Sequence, residues 1–147
     1  MSESAGLPVF ALPVRVYYED TDSGGIVYYA NYLKFMERAR TEWLRSLGVE
    51  QDSLRQHEGL IFAVRAATVE YLRPARFNDI LEVTVRPALA SRVSVTFVQT
   101  VRRAPAVAKS LDQSALLCEG EIKIACLDAG TLRPRRMPEL VYKELTR

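Results

Sequence analysis

Val14–Arg40, VRVYYEDTDSGGIVYYANYLKFMERAR, contains a change of hydrophobic period on which the rest of the fold depends. Val14, Val16 and Tyr18 alternate with Arg15 and Tyr17, the period-two pattern of a first strand. Glu19–Gly25 follows, rich in the Asp, Ser and Gly that make turns. From about Tyr29 to Leu47 the apolar positions Tyr32, Met36, Ala39, Trp43 and Leu47 recur at helical spacing. Leu33, Phe35 and Leu44 widen that stripe, while Lys34, Glu37, Arg38, Thr41 and Arg45 mark the wet side. So broad a stripe predicts a helix with much of its surface covered. Gly48 stands where a left-handed cap would end it.

Beyond the helix, a shorter helical turn is expected between Glu50 and Gln56. The remainder reads mostly as strands: Leu60–Tyr71, Ile80–Pro87, Val93–Arg102 and Ser114–Leu127. In the last of these, Leu116, Cys118, Ile122, Ile124 and Cys126 share one parity, and the other is mostly polar. That is a sheet with one buried face and one wetter face. Residues 1–12 read as a short tail, 13–147 as a single domain, and 103–113 as a loop between strands. One long helix followed by long antiparallel strands makes an α+β domain with the helix laid on one sheet face. Long strands with open edges invite pairing, so a dimer is physically reasonable.

A chain of 147 residues can bury a real core as one domain. Its 48% hydrophobic and 26% charged content fits an ordinary globular protein, and a net charge of +2 disfavours a nucleic-acid partner. MSESAGLPVFALPV lacks the basic start and sustained apolar core of a secretory signal. No apolar run approaches the roughly 20 residues needed for a membrane span. The expectation is a soluble, cytoplasmic protein. Cys118 and Cys126, if on one strand, lie roughly 26 Å apart, so free thiols are expected and no disulfide. No metal-ligand spacing surrounds them, and no metal site is expected.

The plain reading of EDTDSGG is a turn whose aspartates cap a helix. A carboxylate there would also stand beside helix N–H groups that have no intrahelical acceptor, an arrangement suited to polarising and attacking a carbonyl. The positive end of the helix dipole favours negative charge at the same place. Competing catalysts are few. The single histidine, His57, lies in the polar stretch Gln51–Gly59, where a surface role is expected, and no Gly-x-Ser-x-Gly elbow occurs.

YYEDTDSGGIVYYANYLKFMERAR also resembles, over its full length, the signature of the 4-hydroxybenzoyl-CoA thioesterase-like hotdog family. Within that family it is most similar to the YbgC-type acyl-CoA thioesterases associated with the Tol-Pal system. The resemblance runs more loosely through VEYLRPARFND (Val69–Asp79) to RPRRMP (Arg133–Pro138). It implies a hotdog fold, an antiparallel sheet wrapped around one long central helix. It implies hydrolysis of short or medium acyl thioesters, with coenzyme A as part of the substrate and no further cofactor. It implies a homo-oligomer, a dimer or a tetramer of edge-paired dimers, with sites formed between subunits. Acyl carrier protein is the other carrier to consider.

Carried over by position, the resemblance makes Asp22 the catalytic carboxylate, as nucleophile or general base, and Asp20 a structural partner bonding the turn backbone. It makes the backbone N–H of Tyr29 an oxyanion donor. Independently of the resemblance, Tyr18, Ile26, Val27, Tyr28 and Tyr32 flank the turn and could line the acyl groove, with ordinary core the favoured reading for any single one of them. Phe62 and Val64 would face the site across the dimer interface, and Arg92 would stand near the nucleotide. YbgC-type proteins commonly carry a histidine where this chain has Tyr29. A phenol is a poor base at neutral pH, so the change bears on rate and acyl preference more than on reaction class. The competing reading is a non-catalytic module that binds acyl thioesters or acyl carrier protein. A hotdog dehydratase is disfavoured, because it needs a histidine in the site.

Overall fold

The computed structural model describes residues 10–104 and 115–147. Five strands form one antiparallel sheet: β1 (Phe10–Arg15), β2 (Leu60–Tyr71), β3 (Ile80–Ala90), β4 (Ser94–Arg103) and β5 (Leu116–Asp128). Their order is β1-β3-β4-β5-β2, which leaves β1 and β2 at the edges. Three helices accompany them: α1 (Asn31–Ser46), α2 (Gln51–Glu58) and α3 (Glu139–Leu145). This is the expected α+β architecture, a sheet around one long helix.

The helix takes its place from the stripe read in the sequence. Tyr32, Phe35, Met36, Ala39, Trp43 and Leu44 are buried, whereas Leu33 is exposed. They pack on one parity of the sheet, including Leu81, Val83, Val85, Phe97, Val101, Ile122 and Ile124. Gly120 of β5 makes the closest approach: a Cβ added there would meet Met36 Sδ at 3.0 Å. The C-terminus of α1 closes as a Schellman motif. Gly48 has φ +86, its N–H donates to the Arg45 carbonyl, and the Val49 N–H donates to the Leu44 carbonyl. Cys118 and Cys126 are free and buried on β5, and burial pushes their thiols up to about 12 and about 11.

Three boundaries differ from expectation. β1 begins at Phe10, inside the segment read as a tail, and stops at Arg15, so Tyr18 falls in a 3-10 turn (Tyr18–Asp20). The strand carries Pro13 because it is an edge strand, where a missing N–H costs no ladder bond on the solvent side. β3 continues past Pro87 to Ala90 through a register shift between Pro87 and Leu89, a bulge that absorbs the proline. The helix α3 was not expected at all. The loop predicted at 103–113 lies mostly outside the described residues.

The register fixes which groups share an end of the sheet. Tyr71 pairs with Cys118, which pairs with Val101, and β4 Val101 pairs with Val83. The acidic turn belongs to that end, because Ile26 bridges Arg76, just beyond β2. At the other end Phe62 pairs with Cys126, whose N–H donates to Val93 in the β3–β4 turn. Eight residues of β5 separate Cys118 from Cys126, roughly 26 Å.

Candidate active site

The two aspartates of the turn do different work. Asp20 is buried, and its Oδ2 accepts the Tyr17 N–H at 2.8 Å. Its carbonyl accepts the Tyr28 N–H and the Asn31 side-chain amide, each at 2.9 Å. Asp20 therefore ties the strand side of the turn to the start of α1. Asp22 is exposed. Its backbone is held by Ile26 and Gly25, and its Oδ1 accepts the Gly24 N–H at 2.8 Å. Among the described residues its Oδ2 has no partner. Gly24 allows this closeness, since a Cβ there would sit 3.3 Å from Asp22 Oδ1. Gly25, at φ +82, completes the turn.

Two backbone donors lie at the entry to α1, just after the Tyr28 N–H that the Asp20 carbonyl ties to the acidic turn. The Asn31 N–H donates to Tyr28, that of Tyr32 to Tyr29 and that of Leu33 to Ala30. The N–H groups of Tyr29 and Ala30 donate to no acceptor among the described residues. A free carboxylate oxygen and two free N–H groups thus occur within nine residues of one another, Asp22 to Ala30.

The side chains expected to line a groove divide between site and core. The Tyr29 ring is 61% exposed, edge-on to Tyr71 at 6.0 Å and tilted against Tyr28 at 4.9 Å. Tyr18 is exposed and stacked on Phe77 at 4.1 Å. Ile26 is half-buried and bridges Arg76. Val27 and Tyr32, in contrast, are buried core. The Tyr32 hydroxyl accepts the Ala75 N–H at 3.0 Å, and burial raises its pKa. It anchors the loop after β2 against the turn and offers a ligand little surface.

Phe62, Val64 and Arg92 lie at the opposite end of the sheet from Asp22 of the same chain. Phe62 and Val64 line a cavity of about 130 Å³ between the C-terminal half of α1, the sheet and α3. The Arg92 guanidinium is engaged: it donates to Glu139 Oε1 at 2.8 Å and lies 4.0 Å over the Tyr142 ring. His57 is exposed on α2, away from the turn.

The sequence reading missed a polar group in the core. Gln99 is fully buried; its amide N–H groups donate to the carbonyls of Met36 and Thr84, and its Oε1 accepts from Arg40 at 2.9 Å. Burial lowers the Arg40 pKa. The signal was present, because Gln99 shares the inward parity of Val95, Phe97 and Val101.

Residues 16–145 match the family model of the thioesterase-like superfamily. The chain belongs to that family. It is 41% identical over 136 residues to the acyl-CoA thioester hydrolase YbgC of Escherichia coli, covering 92% of this chain and 95% of that one. It is 38% identical to the acyl-CoA thioesterase YbgC of Haemophilus influenzae, covering 90% of each. Among solved structures, a 1,4-dihydroxy-2-naphthoyl-CoA thioesterase from Synechocystis superposes with a TM-score of 0.82 at 20% identity, covering 93% and 95% of the two chains. A probable thioesterase from Bartonella henselae gives 0.75 at 31% identity, covering 87% and 98%. The hotdog fold and the thioester-hydrolase class expected from the family resemblance are those of these relatives. No helix among the described residues is long and apolar enough to cross a membrane.

Proposed function

We propose that this chain is an acyl-CoA thioester hydrolase in which Asp22 performs the chemistry. The observation that carries the reading is the free Asp22 oxygen in a turn whose Asp20–Tyr28 bond leads into the N–H groups of Tyr29 and Ala30, unpaired among the described residues. Bound there, a thioester carbonyl oxygen takes hydrogen bonds from these donors, and they strengthen as the oxygen becomes an oxyanion. Asp22 then acts by one of two routes. Its carboxylate attacks the carbonyl carbon, expelling the thiolate and leaving a mixed anhydride that water hydrolyses. Alternatively it takes a proton from a water that attacks directly. Single turnover in labelled water tests the first route, because label enters Asp22 only when water opens an anhydride at the aspartyl carbonyl.

The site is completed by a second copy of the chain. The outer edge of β2 is open, and Val64–Tyr71 is exposed apart from Val69. Antiparallel pairing of two copies across this stretch sets Val64 of one against Tyr71 of the other. Tyr71 touches both Tyr29 and Tyr32, so the cavity of one copy is delivered to the acidic turn of its neighbour. A pair of such dimers gives the tetramer implied by the family. In this reading the apolar cavity takes a short or medium acyl group.

The test is free-thiol release from a panel of acyl-CoA thioesters, with an acyl carrier protein thioester included, for the wild type and Asp22→Asn. Asparagine keeps the shape and can neither attack nor accept the proton. The expected result is loss of about a hundredfold or more in kcat with the fold retained. Equal activity of the two proteins on every thioester would contradict the assignment. A wild type that binds thioesters and cleaves none would favour a binding module.

A further inference from the structure

The acyl cavity has one wall that the reading above does not use. Val141 and Leu145, one turn apart on α3, close it against Trp43 and Leu44 of α1. With seven residues, α3 is too short to hold itself in place as an isolated helix. Its position must come from what grips it: Val141 and Leu145 are buried in the core, and Arg92 in the β3–β4 turn adds the polar contacts. The Arg92 carbonyl accepts the Met137 N–H at 2.9 Å, its guanidinium donates to Glu139 Oε1 at 2.8 Å, and it lies 4.0 Å over the Tyr142 ring. These contacts seize the chain before, at the start of and midway along α3.

We propose that α3 is the end wall of the acyl pocket and that Arg92 is the positioning residue that sets its depth. The inference rests on the shared-site reading, in which each cavity serves the Asp22 of the neighbouring copy. The mouth lies away from α3: Glu37, Arg40 and Val64 line both the cavity and an adjoining surface depression that reaches Leu33 and Ala67 near the β2 edge. An acyl tail entering there passes Arg40 and ends on Leu145. Native interiors leave few voids of this size, and an apolar one of about 150 Å³ admits benzene. The substrates selected are therefore acyl thioesters whose apolar tail has about the bulk of a six-membered ring or a comparably short chain.

The experiment measures kcat and KM from acetyl-CoA to dodecanoyl-CoA, with benzoyl-CoA, for the wild type and four variants. Leu145→Trp fills the cavity and should lower the preference for hexanoyl over acetyl by about tenfold or more, since one methylene is already worth about that much. Leu145→Ala should move the optimum to longer chains. Arg92→Ala should move it the same way by a few-fold, mainly through KM, and Arg92→Lys, which keeps the charge for Glu139 and Tyr142, should restore the wild-type order. Should Leu145→Trp fail to fold, Val141→Phe fills the same space from the other turn. Unchanged chain-length preference in a folded filling variant and in Arg92→Ala would overturn the inference while leaving thioester hydrolysis at Asp22 intact. A wild type that cleaves no thioester removes the underlying reading and this one with it.

Discussion

Asp20 and Asp22 are near neighbours in the chain, and the fold uses them in opposite ways. Asp20 is buried and accepts the Tyr17 N–H, whereas Asp22 is exposed and leaves one oxygen free. Asp20→Ala should therefore leave the part-buried Tyr17 N–H without its acceptor and lower unfolding free energy by about 1 kcal/mol, read from urea denaturation. Tyr29 enters the proposed chemistry through its backbone, so Tyr29→Phe should keep turnover within a few-fold. If Tyr29→Phe were as inactive as Asp22→Asn, the phenol itself would be a catalytic group. The sequence motif located this turn correctly, but it did not sort its neighbours. Val27 and Tyr32 sit among groove candidates and yet are core, because the loop after β2 folds over them: Ala75 bonds both the Val27 N–H and the Tyr32 hydroxyl. A contact between residues 43 positions apart leaves no local pattern to read.

Elements were legible in proportion to their length and regularity. α1 and β2 appear with boundaries close to those read from period alone, and Gly48 caps α1 as its position implied. β1 and α3 were obscured for different reasons. Pro13 argues against a strand unless the strand is an edge, which only topology reveals. α3 has too few turns for a periodic signal, and the contacts that hold it, Arg92 of the β3–β4 turn and the core around Val141 and Leu145, come from distant parts of the chain. The contact between α1 and β5 carries a prediction of its own. Gly120→Ala should push against Met36 and destabilise the protein by about 1–3 kcal/mol. Met36→Ala costs stability alone, but the double variant should be more stable than the two single losses predict. Strict additivity in denaturation would show that the helix does not rest on this glycine.

At the scale of the whole molecule, the two parts of the proposed site do not meet within one chain. The acidic turn lies at the Tyr71 end of the sheet, and the cavity lined by Phe62 and Val64 lies at the other. The open β2 edge offers the join, and the amino-acid sequence indicated such a join only through family resemblance and strand length. The most direct measurement mixes two defective chains, one carrying Asp22→Asn and the other Leu145→Trp, after dissociation and reassociation. On hexanoyl-CoA each assembly alone should be weak. A mixed dimer contains one site with both an intact Asp22 and an intact cavity, so an equimolar mixture should recover about a quarter of wild-type activity if copies pair at random. Recovery at that level is the predicted result. Activity no greater than the average of the two parent proteins, with mixed dimers shown to be present, would contradict a shared site.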